Sequence, residues 1–270
     1  SARDWCKRKE SVDMRLFDLT GDVAVITGAS KGLGESFAHA LAQAGANLFL
    51  IARKEDGLIR VSKDIEEQYG VRCTWCTADI SNQDDIRNAV AKCTETYGKI
   101  DILINNAAAM RNNKPPQDTT PEEFDAVMHP NVIGTLMMCQ EVGAVMRRQK
   151  RGRIVNIASM SALIVNRGVY GGSYEVSKAA VTMLTKTLAV EWAQDGITVN
   201  AICPGYYGTQ PNREFFAADP TFEGKVLDMI PMHRLGEPEE LWGALLLLAS
   251  PAASYMQGTV ITVDGGYTLW

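Results

Sequence analysis

The chain has 270 residues, is 46% hydrophobic and 22% charged, and carries a formal net charge of −5. These values describe a globular protein long enough to bury a core without disulfides or metals, and the acidic balance excludes a general nucleic-acid binder. No run of about 18 apolar residues offers a membrane span, and Ser1 to Glu10 lack the apolar stretch of a signal peptide.

Residues 1–16 read as a polar N-terminal arm and 17–270 as a single domain. Val23–Thr27 is a β-branched strand, followed by a helix from Gly32 to Ala44 with Leu33, Phe37, Ala40, Leu41 and Ala44 at helical spacing and Gly45 as its stop. Strands at 47–52 and 71–78 then alternate with helices at 56–69 and 82–97, which end at Gly70 and Gly98. A strand at 102–105 precedes a helix over 121–149, where Pro130 should kink the helix or loosen its hydrogen bonding. Arg147, Arg148, Lys150, Arg151 and Arg153 follow as solvated cations at that helix's C-terminus. Strands at 153–158 and 198–202 flank a helix at 174–194, and a helix at 237–249 leads to a last strand at 259–263. Strands apolar on both faces and alternating with helices imply one doubly wound, seven-stranded parallel sheet with helices on both faces. The stretch 206–233 carries no strand signal and is rich in Pro, Gly and polar residues. An irregular insertion of that length reads as a substrate lid.

Six cysteines lie scattered, mostly in apolar runs, which fits reduced thiols and a cytoplasmic location. Cys73 and Cys76 have the spacing of a redox pair, but in a strand they point to opposite faces. His39, His129 and His233 form no metal-ligand pattern, and no metal is expected.

Gly28, Gly32 and Gly34, with Ser30, Lys31 and Leu33 between them, join the first strand to the first helix. Glycine there lets the backbone turn tightly against a phosphate, and the helix N-terminus supplies free N–H groups. Placed so, the turn predicts a Rossmann-type dinucleotide site. An acidic residue at the end of the second strand would select NAD; the chain has Arg53 and Lys54 instead, and Lys31, inside the glycine turn, is a third cation. Three cations there fit a 2′-phosphate and predict NADP(H). Tyr174 and Lys178 are four residues apart, so they share one helical face. An ammonium beside a phenol favours the phenolate, which makes Tyr174 a candidate general acid and base.

Thr27-Gly-Ala-Ser-Lys-Gly-Leu-Gly34, Asn105-Asn-Ala-Ala108, Tyr174-Glu-Val-Ser-Lys178, Pro204-Gly205 and Val263-Asp-Gly-Gly266 occur in that order. Together they resemble the short-chain dehydrogenase/reductases from about residue 17 onward, and most of all polyol dehydrogenases and sorbose-type reductases. The resemblance implies that Lys178 holds the nicotinamide ribose, that Asn131 positions a water in a proton relay, and that a serine hydrogen-bonds the substrate oxygen. Position on the strand selects Ser159 for that serine, while the family's usual separation from Tyr174 selects Ser161. It further implies cofactor contacts from Asp79, Ile80, Asn106, Ala107, Pro204, Gly205 and Thr209, with Ala108 standing where the family has glycine, and a structural role for Asp264.

The resemblance implies a small-molecule carbonyl or alcohol substrate, bound under a lid carrying Tyr206, Tyr207, Phe215, Phe216, Met229 and Met232, and a homotetramer or dimer. A 3-oxoacyl thioester reductase is the close alternative and would draw on Arg111, Lys114 and Arg167 to meet its carrier. A non-catalytic NADP-binding redox sensor is the alternative of another class.

Overall fold

Short runs of valine, isoleucine and leucine with no polar break form the centre of the sheet, because β-branched side chains fit a pleated surface covered on both sides. In the computed structural model, residues 14–111, 113–166 and 172–270 are described. The arm over 1–13, Asn112, Arg167 and the side chain of Phe215 lie outside them. The strands are β1 (Val23–Thr27), β2 (Asn47–Ala52), β3 (Cys73–Thr77), β4 (Ile102–Asn105), β5 (Gly152–Ile157), β6 (Ile197–Pro204) and β7 (Val260–Val263). They lie in the order β3-β2-β1-β4-β5-β6-β7, all parallel, as the sequence predicts.

The helices are α1 (Gly32–Gln43), α2 (Glu55–Tyr69), α3 (Gln83–Tyr97), α4 (Pro121–Met128), α5 (Thr135–Gln149), α6 (Ser173–Trp192), α7 (Gln210–Ala218), α8 (Pro220–Asp228) and α9 (Trp242–Ala249). Alternation along β1 divides its side chains between two layers. Ala24 and Ile26 pack with α1, α2 and α9, whereas Val23 and Val25 pack with α3, α5 and α6. Cys73 and Cys76 divide in the same way, and all five described cysteines are free. The order of strand addition reverses between β1 and β4, and the crevice at their carboxyl ends is where ligands bind in such sheets.

The single helix expected over 121–149 is three pieces. Pro130 has no N–H to donate and crowds the preceding turn, and His129–Gly134 widens into a π turn between α4 and α5. Thr135 Oγ1 donates to the Asn131 carbonyl at 2.7 Å within it. The expected irregular lid is also corrected, because 210–228 folds into α7 and α8. Their starts carry a Pro in the first turn after Thr209 and Asp219, and Asp219 accepts from the Phe222 N–H at 3.0 Å. Phe216, Val226 and Ile230 of this region pack on Met160 and Tyr267. Trp270 Nε1 donates to the Met229 carbonyl at 3.2 Å. Tyr207 leaves the lid for the core and donates to the Val263 carbonyl at 2.9 Å.

The basic run at the end of α5 is largely solvent-exposed, as expected, and several of its side chains also form ion pairs. Arg147 and Lys150 hold Asp195, and Arg151 and Arg153 reach Asp22 at 2.5 and 3.4 Å. Inside the sheet, Asn105 Nδ2 donates to its cross-strand partner Asn156 at 2.9 Å, and Asn156 Nδ2 donates to Thr185 Oγ1 at 2.9 Å. Among the described residues no helix is long and apolar enough to cross a membrane, and no cluster of metal-ligating groups occurs.

Candidate active site

The turn after β1 is shaped by what glycine leaves out. A β-carbon on Gly28 would come within 2.8 Å of Asn106 Nδ2, and one on Gly34 within 2.2 Å of the Gly28 carbonyl oxygen. Asn106 and Ala107 brace this turn. Asn106 Nδ2 donates to the Thr27 and Gly28 carbonyls at 3.0 and 3.2 Å, and both backbone N–H groups donate to Thr27 Oγ1 at 3.0 Å. Lys31 precedes α1 without a side-chain cap, so the first-turn N–H groups of Gly32, Leu33 and Gly34 keep their donor capacity. Thr209 comes close to the same turn, 3.9 Å from the β-carbon position of Gly32. Arg60 forks onto Glu35 at 2.6 and 2.8 Å and reaches the Ser30 carbonyl at 3.3 Å.

Lys31, Arg53 and Lys54 are exposed, and none makes an ion pair or side-chain hydrogen bond among the described residues. Three free cations beside an uncapped helix start fit a phosphate-rich dinucleotide. Asp79 turns its Oδ1 inward, accepting from Ser81 N and Oγ at 2.9 and 2.6 Å. Those bonds, with Arg53 adding to them, hold its carboxyl below the usual range. Ile80 is buried, with its carbonyl against Gly134 of the π turn. Pro204 ends β6. Gly205 passes so near Asp264 that a β-carbon there would lie 2.7 Å from the Asp264 Cα. Asp264 accepts from Gly266 N, Thr268 N and Thr268 Oγ1, the structural role expected of it.

At the carboxyl end of β5, the Ser159 hydroxyl accepts from the Ser161 N–H at 3.1 Å and is near enough to Tyr174 to act on its phenol. Ser161 Oγ turns elsewhere, to Asn166 at 2.7 Å and Arg111 at 3.4 Å. Lys178 is buried, and its Nζ donates to the Ile157 carbonyl at 2.8 Å. Desolvation brings its ammonium down to about 8. The expectation that Lys178 lowers the Tyr174 pKa is not met by this geometry. Its Nζ lies 5.6 Å from the ring centre, and Arg111 is the nearer cation at 4.9 Å. Burial pushes the phenol up, while the Ser159 hydrogen bond and the Arg111 charge pull it down by less.

Asn131 is 1% exposed, and its side-chain atoms are engaged. Oδ1 accepts from the Ala109 N–H at 2.6 Å, and Nδ2 donates to the Ala109 carbonyl at 3.0 Å and to Ser177 Oγ at 2.9 Å. The π turn thereby clamps the segment after β4 onto α6. Arg111 entered the sequence reading only as part of a basic patch, and Glu175 and Asn166 had no role there, yet all three lie beside Tyr174. The available signal was a carboxylate inside the Tyr174–Lys178 motif, one residue round the helix from the phenol.

A glycine-shaped turn before an uncapped helix start, at the carboxyl end of a parallel sheet, is the arrangement of a dinucleotide-binding protein, and Tyr174, Lys178 and Ser159 lie on the segments at that same end of the sheet. A family model described as enoyl-(acyl carrier protein) reductase matches residues 28–268. The chain belongs to the short-chain dehydrogenase/reductase family. It is 39% identical over 255 residues to a galactitol 2-dehydrogenase (L-tagatose-forming) of Cereibacter sphaeroides, covering 94% of this chain and 98% of that one. It is 35% identical to a sorbose reductase of Candida albicans, covering 94% and 89%. A gluconate 5-dehydrogenase of Burkholderia cenocepacia, crystallised with NADP and tartrate, superposes with a TM-score of 0.88 at 32% identity, covering 94% and 98%.

Proposed function

We propose that the protein is an NADP(H)-dependent oxidoreductase that interconverts a secondary alcohol and a ketone on a polyol or ketose. The observation that carries this reading is Tyr174, with the buried Lys178 Nζ 5.6 Å from its ring centre and the Ser159 hydroxyl close enough to act on its phenol. When bound, the nicotinamide supplies or accepts the hydride. In the reducing direction Ser159 donates a hydrogen bond to the substrate carbonyl oxygen and fixes it beside the phenol. Tyr174 O–H gives that oxygen its proton, and the same phenolate takes the proton back in the oxidising direction. Lys178 holds the ribose, and Asn131 positions the relay that returns the proton. Arg53, Lys54 and Lys31 take the 2′-phosphate. Free thiols suit a reducing compartment such as the cytoplasm.

Relatives named for galactitol and sorbose support the polyol side, and one crystallised with NADP supports the cofactor. The alternative of a 3-oxoacyl thioester reductase needs free basic residues at the mouth. Arg111 is paired with Glu175 and Lys114 with Glu123, which weighs against it. The deciding assay follows NADPH and NADH consumption in parallel against ketoses, diketones, quinones and aromatic ketones. Turnover of ketoses with NADPH is expected, falling roughly 10²–10⁴-fold in Tyr174→Phe. Tight NADPH binding with no turnover on any compound overturns the enzyme reading in favour of a sensor.

A further inference from the structure

Beside the acid–base centre lies a polar cluster to which alcohol–ketone chemistry gives no task. Arg111 follows β4, Ser161 and Asn166 follow β5, and Glu175 is the residue after Tyr174 on α6. Asn166 Nδ2 donates to Ser161 Oγ at 2.7 Å and to Glu175 Oε1 at 3.2 Å. Arg111 Nη1 lies 3.8 Å from the same Oε1, and its guanidinium covers the Tyr174 ring at 4.9 Å. The Arg111 charge also acts on Tyr206 at the start of the lid. The cluster therefore sits between the reacting phenol and the lid.

Two of its acceptors are spare. Among the described residues, Glu175 Oε2 and Asn166 Oδ1 have no hydrogen-bond partner, and both are buried, on residues 8% and 2% exposed. An unpartnered buried carboxylate oxygen is costly, and a folded chain tolerates it where a ligand supplies the missing donor.

We propose that Glu175 and Asn166 accept hydroxyl hydrogens from the substrate, and that the substrate is a neutral polyol or ketose rather than an aldonate. The spare atoms are acceptors, so the complementary group carries O–H donors. An aldonate carries hydroxyls as well, but its ionised carboxylate would meet the like charge of Glu175 while Arg111 is already paired. A sugar alcohol carries hydroxyls on the carbons flanking the one that reacts, within reach of groups adjoining Tyr174. This inference rests on the oxidoreductase reading and narrows it.

The test measures kcat/KM with NADP⁺ for galactitol, sorbitol and gluconate. The wild type should prefer the two polyols. Glu175→Gln keeps the volume, replaces an acceptor with a donor and releases Arg111. It should raise KM for the polyols roughly tenfold or more, the usual scale for losing a hydrogen bond to a charged acceptor, and move the preference toward gluconate. Asn166→Ala removes the second acceptor and should raise KM for the polyols in the same direction. Should Glu175→Gln fail to fold, the wild-type preference and Asn166→Ala carry the test. A wild type that prefers gluconate, or folded variants with an unmoved preference, overturns this inference and leaves the oxidoreductase reading standing. No turnover of any polyol, aldonate or ketose with either nicotinamide cofactor overturns both.

Discussion

Lys178 holds a charge where charge is expensive. Well below pH 8 its amine is protonated in both folded and unfolded chains, and the fold bears the full desolvation cost. As pH rises through about 8 the folded chain sheds that proton while the unfolded chain keeps it, so this contribution stabilises the fold up to the ordinary lysine value. Relative to Lys178→Met, the wild type should gain on the order of 3 kcal/mol across that range, read by urea unfolding of both at several pH values. The buried thiols and tyrosines, whose pKa values are raised, act in the opposite sense at high pH, and subtracting the variant removes them. Arg53 tests the cofactor preference. Because Arg53 makes no ion pair or side-chain hydrogen bond among the described residues, its loss in Arg53→Ala should weaken NADPH binding by about 10–100-fold and leave NADH nearly unchanged, measured by fluorescence titration. Equal losses would mean that Arg53 does not meet the 2′-phosphate. The residues that sequence could name are those set by local geometry: the glycines of the turn, Tyr174, Lys178 and Asp264. Arg111, Glu175 and Asn166 escaped because three separate segments bring them together, and no spacing along the chain encodes that meeting.

Among the elements, strands and long helices were legible because apolar periodicity and glycine stops coincide. The exceptions are instructive. Pro130 announced a disturbance, but the π turn depends on Gly134 packing against the Ile80 carbonyl and on Asn131 reaching Ala109 and Ser177, contacts invisible in one dimension. The helices α7 and α8 were hidden by polar composition, although Thr209 and Asp219, each with a proline close behind, mark their starts. The π turn's main work is the clamp on the segment after β4. Asn131→Ala should cost about 1–3 kcal/mol of stability, since it strands the Ala109 N–H and carbonyl. It should also raise KM, because Arg111 rides on that segment, and lower kcat, because the proposed relay depends on Asn131. Denaturant unfolding and steady-state kinetics would show this, and unchanged stability would remove the clamp from the account.

For the whole molecule, the two packed layers followed from strands apolar on both faces, whereas assembly did not. Val176, Met183 and Val190 recur every seven residues along α6 and are 48%, 61% and 77% exposed. A repeated apolar stripe of this kind is what a self-associating face presents. Light scattering after size exclusion should give a dimer or tetramer, and Met183→Glu should shift it to smaller species. A monomeric wild type would refute the assembly. The Asn105–Asn156 pair acts at this scale too. Sliding β5 past β4 by two residues would leave every side chain on its proper face, so greasy packing alone opposes such a misalignment only weakly. The two amides oppose it strongly, because the slip would set each against a hydrocarbon neighbour with its hydrogen bonds broken. One polar pair in the middle of the sheet thus acts as an alignment key during folding. Replacing both with leucine would be expected to yield a chain that collapses readily but finds its correct strand alignment less faithfully.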